Sequence, residues 1–139
     1  MEEGYLKEKS LIDDKVFCIT VKDLPIENLI LAKFYFLYGK LAKIEYVLKE
    51  NFQKDTFYFY FKVLKEKYGE PDFIIKPILT NGKAEWKFAY VKITLESQYT
   101  GMETILSYYS PYMWKNIEKR YDNLKKRLIK IKVRTTEGI

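Results

Sequence analysis

The sequence predicts an α+β domain built on a mostly antiparallel sheet. Three observations indicate this class: aromatic residues make up 17% of the chain, two dipeptides are typical of tight hairpins, and two segments have helical periodicity. Aromatic side chains suit the pleated surface of a strand. Gly39-Lys40 and Asn81-Gly82 provide residues that adopt the positive φ angles of short hairpin turns. Because strands and helices do not alternate along the chain, a parallel βαβ fold is not expected.

The first half of the chain is predicted to form three strands and one helix. Residues 1–14 are charged and weakly patterned, so we interpret them as a loose N-terminal lead-in. Residues 54–68 begin with a strand-like composition, but their apolar positions recur at helical spacing and predict a helix. Asp55 is a suitable N-cap, and Gly69 followed by Pro71 ends the helix. The strands are Val16–Val21, Leu29–Tyr38 and Leu41–Leu48.

The second half is predicted to form four strands and a basic C-terminal helix. Ser110 as N-cap and Pro111 at the first helical position open a helix over residues 111–130. Its apolar positions recur three and four residues apart, as in an amphipathic helix. Residues 129–135 then alternate in polarity, which favours extended chain after the helix. The strands are Phe73–Leu79, Ala84–Phe88, Val91–Glu96 and Met102–Tyr109.

These elements give the order β-β-β-α-β-β-β-β-α within one domain, residues 1–139, which is long enough to bury one sizeable core. The single cysteine, Cys18, lies in an apolar run and is expected to be a buried small side chain. We expect both helices to pack on one face of the sheet. That face carries Ile44, Tyr46, Trp86, Phe88, Ile93 and Leu95.

No segment of the sequence has the pattern of a membrane span or of a secretory leader. The longest apolar stretch, residues 29–38, is interrupted by Lys33 and falls short of the ~18 residues that a span requires. The chain begins Met-Glu-Glu, without the basic and apolar regions of a signal peptide. A cytoplasmic location is therefore expected for the chain as given, and an envelope or exported location if a leader has been trimmed.

Positive charge is concentrated near the C-terminus. Nine basic and three acidic residues lie between Lys115 and Ile139, and their balance equals the net charge of the whole chain, +6. Basic side chains beside an aromatic ring are typical of surfaces for single-stranded nucleic acid, and residues 115–134 also suit another anionic surface. A solvated helix face explains the same pattern, so both interpretations stay open. The candidate polyanion-binding residues are Tyr112, Lys115, Lys119, Lys126 and Lys130.

The chain lacks the residue types of the common catalytic sites. It has no histidine and one cysteine, which excludes a histidine base and a thiolate metal cage. No phosphate-binding glycine loop occurs, and Asp13-Asp14 and the pair Glu70 and Asp72 are interpreted as turn residues. We therefore expect no enzyme activity, no cofactor and no metal. The predicted function is a non-catalytic interaction domain that binds a protein, with polyanion binding through the C-terminal helix as the alternative.

A dispersed motif resembles one found in a group of bacterial proteins. It combines Gly39-Lys40-Leu41, residues 64–71, Trp86, residues 93–95 and residues 108–110. Together these segments resemble a pattern in uncharacterised small α+β domains of bacteria, which are often exported or lipid-anchored. The part from the first helix to Trp86 is also similar to small outer-membrane-assembly lipoproteins, although their helices precede their strands. The resemblance implies a non-catalytic binding domain and an envelope location.

Overall fold

The computed structural model describes residues 6–11 and 15–122, which form one eight-stranded sheet and two helices. Along the sheet the strands lie in the order β1-β2-β3-β4-β8-β7-β6-β5, and every neighbouring pair is antiparallel. The elements are β1 (Leu6–Leu11), β2 (Val16–Lys22), β3 (Leu29–Leu37), β4 (Lys40–Lys49), α1 (Asp55–Tyr68), β5 (Phe73–Ile75), β6 (Gly82–Lys87), β7 (Lys92–Ser97), β8 (Glu103–Tyr109) and α2 (residues 111–122).

The predicted class and the order of elements are confirmed, with one further strand at the start. Residues 6–11 pair with β2, so the interpretation of residues 1–14 as a loose lead-in is wrong for this stretch. Its charged residues suit an edge strand, which hides the strand signal. At the other edge, β5 ends at Ile75 instead of Leu79, because Pro77 and the positive φ of Leu79, 57°, interrupt the extended chain.

Helix α1 packs against β6 and β7 and closes the larger core. Phe57 and Leu64 of α1 lie in one buried cluster with Trp86, whose indole nitrogen donates a hydrogen bond to the carbonyl of Gly69 at 2.9 Å. Of the six residues expected on the covered face, Trp86, Ile93 and Leu95 are buried, whereas Phe88 is 48% exposed. The core residues are Leu48, Phe57, Leu64, Ala84, Trp86, Ile93, Leu95 and Leu106.

The start of α1 differs from the prediction. The N-cap position is Lys54 rather than Asp55, and no side chain at that position caps the helix. Lys54 has a φ of 62°, is buried, and donates hydrogen bonds to the carbonyls of Gln98 at 2.7 Å and Gly101 at 3.0 Å. Instead, the buried carboxylate of Glu50 accepts hydrogen bonds from two backbone N–H groups of the first helical turn. Capping from outside the helix leaves no local sequence signal.

Helix α2 packs on the opposite face of the sheet. Its Trp114 contacts the Tyr35 ring edge-on, with centroids 4.9 Å apart, and the Lys43 ammonium lies 4.0 Å from the Trp114 centroid. Tyr35 and Lys43 are partners on β3 and β4 and therefore point to one face. Tyr46, which packs against the α1 core, lies three positions along β4 and points to the other face. The prediction that both helices cover one face is therefore wrong.

The pattern of β2 and β3 explains this arrangement, because both strands are apolar on both faces. Val16 and Leu37 are paired across β2 and β3, and they form a second core with Ala42 and Ile117 of α2. The strand pairing shifts register between Tyr35 and Phe36 and skips Ala42 of β4. This irregularity lets Ala42 point into the second core. As a result, each helix covers only part of one face. The predicted helical residues beyond 122, and the extended segment after them, lie outside the described residues.

Candidate interaction surfaces

A set of apolar side chains lies on the α1 face of the sheet, on the half that α1 does not reach. We call Phe17, Ile19, Phe34, Phe36 and Ile44 the aromatic face. Cross-strand pairing joins Phe17 to Phe36, Ile19 to Phe34, and Phe34 to Ile44, so all five point the same way. The rings of Phe17 and Phe36 stack, with centroids 4.8 Å apart and an angle of 13° between their planes. All five side chains are half-buried.

The described parts of the helices leave this face uncovered. Helix α1 lies against β6 and β7, and α2 lies on the other side of β2, β3 and β4. The border of the face is mixed in character. The Lys9 ammonium sits 4.3 Å above the Phe17 ring, while Leu11 and Leu41 are 72% and 46% exposed. A cation over an aromatic ring holds positive charge at the β1 side of the face.

The half of the α2 face that lies over β6, β7 and β8 is polar. Glu85 of β6 lies 3.1 Å from the ammonium of Lys83 and 3.4 Å from that of Lys92. Thr94 and Ser107 lie beside Glu85 on this face and are buried. Uncovered faces of antiparallel sheets are usually polar, and this half follows that rule. The aromatic face does not follow it, which makes that face a candidate contact surface.

The ion pairs of Glu85 make the free energy of unfolding depend on pH in the acidic range. Burial disfavours the charged form, but the hydrogen bond from Lys83 and the charges of Lys92 and Lys83 outweigh it, so the pKa of Glu85 lies below its ordinary value of 4.5. Stabilisation from a carboxyl group with a lowered pKa is present above the ordinary value. It is lost as the pH falls through the folded pKa. We therefore expect wild type to lose more unfolding free energy than Glu85→Gln between about pH 5 and about pH 3.

Urea denaturation at the two pH values measures this difference, with Glu103→Gln as a control at an exposed carboxylate. The control should keep the acid dependence of the wild type. Equal acid dependence in wild type and Glu85→Gln would contradict the assignment.

The residues predicted to bind polyanions are only partly described. Tyr112, Lys115 and Lys119 are exposed and lie three and four residues apart, which puts them on one side of α2. Lys126 and Lys130 lie outside the described residues. Nearby, the Arg120 guanidinium lies over the Tyr38 ring at 5.1 Å and donates a hydrogen bond to its hydroxyl.

A cleft of about 620 Å³ lies between α2 and the strands β1, β2 and β3. Cys18 is buried at its floor, as predicted, and burial raises the pKa of its thiol. Burial likewise raises the pKa of the Tyr35 hydroxyl, which hydrogen-bonds with that thiol. Both groups are therefore neutral near pH 7. The cleft is lined by Ser10, Cys18, Thr20, Lys33, Tyr35, Trp114, Ile117, Glu118, Tyr121 and Asp122.

Within the described residues, no group of His, Cys, Asp or Glu side chains has an arrangement that could hold a metal ion. In the same part of the chain, neither helix is long and apolar enough to cross a bilayer. Sequence reasoning did not identify the aromatic face or the cleft. The signal that could have found them is the apolar character of both faces of β2 and β3, since such strands need contacts on both sides.

The fold and its surfaces define a small α+β domain with a partly covered antiparallel sheet. Residues 2–122 match the family model described as the TP0088 domain, and the chain belongs to this family. The family is one of uncharacterised bacterial-type domains, which agrees with the coarser part of the resemblance drawn from the sequence. The dispersed motif itself stays a prediction. No curated protein and no solved structure matches the chain.

Proposed function

We propose that the chain is a non-catalytic interaction domain that binds a partner protein through the aromatic face. The observation that carries the proposal is the contrast between the two uncovered half-faces of the sheet. One half consists of polar side chains that form ion pairs or are themselves buried. The other presents three phenylalanine and two isoleucine side chains that are only half-buried. An apolar surface of this kind loses contact with water when a partner covers it, which favours association.

The chemistry of the aromatic face defines the kind of partner. Aromatic side chains are enriched at the centres of protein interfaces, because they bury a large area with few rotatable bonds. The Lys9 ammonium above the Phe17 ring adds positive charge at the border of the face. The complementary surface is therefore an apolar patch of a protein with acidic residues at its edge.

The experiment compares three proteins as bait in an extract of cells that contain the chain. The test variant is Phe34→Lys with Phe36→Lys, which places two charges in the aromatic face. The matched control is Phe73→Lys with Ile75→Lys, which makes the same change on the edge strand β5, where both side chains are 43% exposed. Circular dichroism and thermal unfolding establish that all three are folded. Where the test variant is unstable, Phe34→Thr replaces it. Captured proteins are then purified, and their direct binding is measured.

We expect a purified partner to bind the wild type and the control with equal affinity. It should bind the test variant at least about tenfold more weakly, because residues at the centre of an interface contribute most of the binding energy. Equal binding of all three proteins would overturn the proposal. If light scattering shows that the wild type self-associates and the test variant does not, the aromatic face binds a second copy of this chain instead. Loss of binding to phosphatidylglycerol vesicles would assign it to a membrane, and either result also overturns the proposal.

Polyanion binding through α2 stays a second candidate. Its support is the exposure of Tyr112, Lys115 and Lys119 along one side of the helix. Binding of a single-stranded oligonucleotide through phosphate contacts weakens log-linearly as salt rises, because condensed counterions are released. Such binding, if lost in Lys115→Glu with Lys119→Glu and kept in the aromatic-face variant, would favour this candidate.

A further inference from the structure

The cleft between α2 and β1–β3 has an ordered distribution of charge. Its floor holds one cation, Lys33, which is half-buried. Glu45 is the cross-strand partner of Lys33, but its carboxylate lies 3.7 Å from the ammonium of Lys43. Among the described residues, no carboxylate forms an ion pair with Lys33. A half-buried lysine that no described carboxylate pairs with can form a charge-assisted contact with a bound anion.

The side and the mouth of the cleft differ from the floor. Trp114 and Ile117 of α2 provide an apolar wall, and the Trp114 ring is held in place by Tyr35 and by the ammonium of Lys43. Glu118 and Asp122 lie one helical turn apart on α2 and line the cleft with exposed carboxylates. A molecule in the cleft therefore meets a cation, an apolar wall and two carboxylates.

We infer that the cleft binds a small zwitterion with an apolar body, of the class of short peptides with apolar side chains. Its carboxylate pairs with Lys33, its side chains pack on Trp114 and Ile117, and its ammonium lies near Glu118 and Asp122. A fatty acid or another purely anionic amphiphile fits poorly, because the two carboxylates repel it. The cleft volume of about 620 Å³ is within the range of small-molecule sites. This site lies on the opposite face of β2 and β3 from the aromatic face and is independent of the proposed function.

The test uses the dipeptide Leu-Phe, titrated into the full-length chain and followed by calorimetry and by tryptophan fluorescence. Two modified dipeptides isolate the two charges: the C-terminal amide lacks the carboxylate, and the N-acetyl form lacks the ammonium. Lys33→Met removes the cation of the cleft, and Lys40→Met is the matched control at an exposed lysine that begins β4. Comparing the three dipeptides on the wild type keeps the test valid even where a variant is unstable.

We expect saturable binding of Leu-Phe that weakens at least about tenfold on amidation, on acetylation and in Lys33→Met, as for loss of one charged contact. Lys40→Met should bind like the wild type. Lys33→Met should bind the acid and the amide equally, because the partner of the carboxylate is gone. The absence of saturable binding at millimolar dipeptide would overturn the inference. Equal binding of the acid and the amide by the wild type would do the same.

Discussion

Replacing Glu50 by alanine is expected to lower the free energy of unfolding by about 3 kcal/mol, a large effect for a single carboxylate. The Glu50 carboxylate is buried and accepts hydrogen bonds from the backbone N–H groups of Asn51 at 2.9 Å, Thr56 at 2.9 Å and Phe57 at 2.7 Å. It also accepts one from the Thr104 hydroxyl at 2.6 Å. These contacts join the start of α1 to β8. Without the carboxylate, the two helix N–H groups and the hydroxyl are left buried without an acceptor.

Urea denaturation of wild type, Glu50→Ala and Glu50→Gln measures the effect. The amide variant keeps the size of the side chain but replaces one acceptor oxygen by a donor, so it should also be destabilised. Glu66→Ala is the matched control, because Glu66 is exposed in the same helix and its loss should change stability by less than about 0.5 kcal/mol. A loss below about 1 kcal/mol in Glu50→Ala would show that the cap contributes little.

The Glu50 cap also illustrates what a sequence reveals about this fold. The extent of α1 was predicted almost to the residue, because its periodic apolar positions and the Gly69 stop act locally. Its cap was assigned to Asp55, the nearest suitable side chain. Glu50, which accepts hydrogen bonds from the helix N–H groups, lies before the helix and directly after β4. Only folding brings its carboxylate to the start of the helix.

The faces of the sheet were harder to predict than its strands. The prediction placed Ile44 and Tyr46 of β4 on one face, as observed, but alternation along a strand does not determine which helix covers that face. That choice depends on contacts such as Val16 with Leu37 and Ile117, which are distant in the sequence. Likewise, the charge of Lys33 was evident, whereas its place in the floor of a cleft follows from the position of α2. The prediction of a protein-binding domain is untested, and the aromatic face is now a specific surface on which to test it.

The aromatic face is expected to be accessible to solvent in the free chain, because its side chains are half-buried rather than buried. Three single-cysteine variants in a Cys18→Ala background compare it with known environments. Phe34→Cys probes the aromatic face, Leu37→Cys probes the core beneath α2, where the wild-type side chain is 5% exposed, and Leu41→Cys provides a reference that is 46% exposed. Positions 34 and 37 lie three residues apart on β3 and point to opposite faces of the sheet. Because they are on the same strand, local strand motion affects both to a similar extent. Circular dichroism of each variant establishes that it is folded.

The rate of maleimide labelling under native conditions tests most directly whether the aromatic face is open for a partner. The arrangement of the helices predicts that Phe34→Cys reacts within about threefold of Leu41→Cys, and that Leu37→Cys reacts at least about tenfold more slowly, because α2 must move away first. Labelling of Phe34→Cys as slow as that of Leu37→Cys would contradict the account, since the face would then already be covered within the free chain.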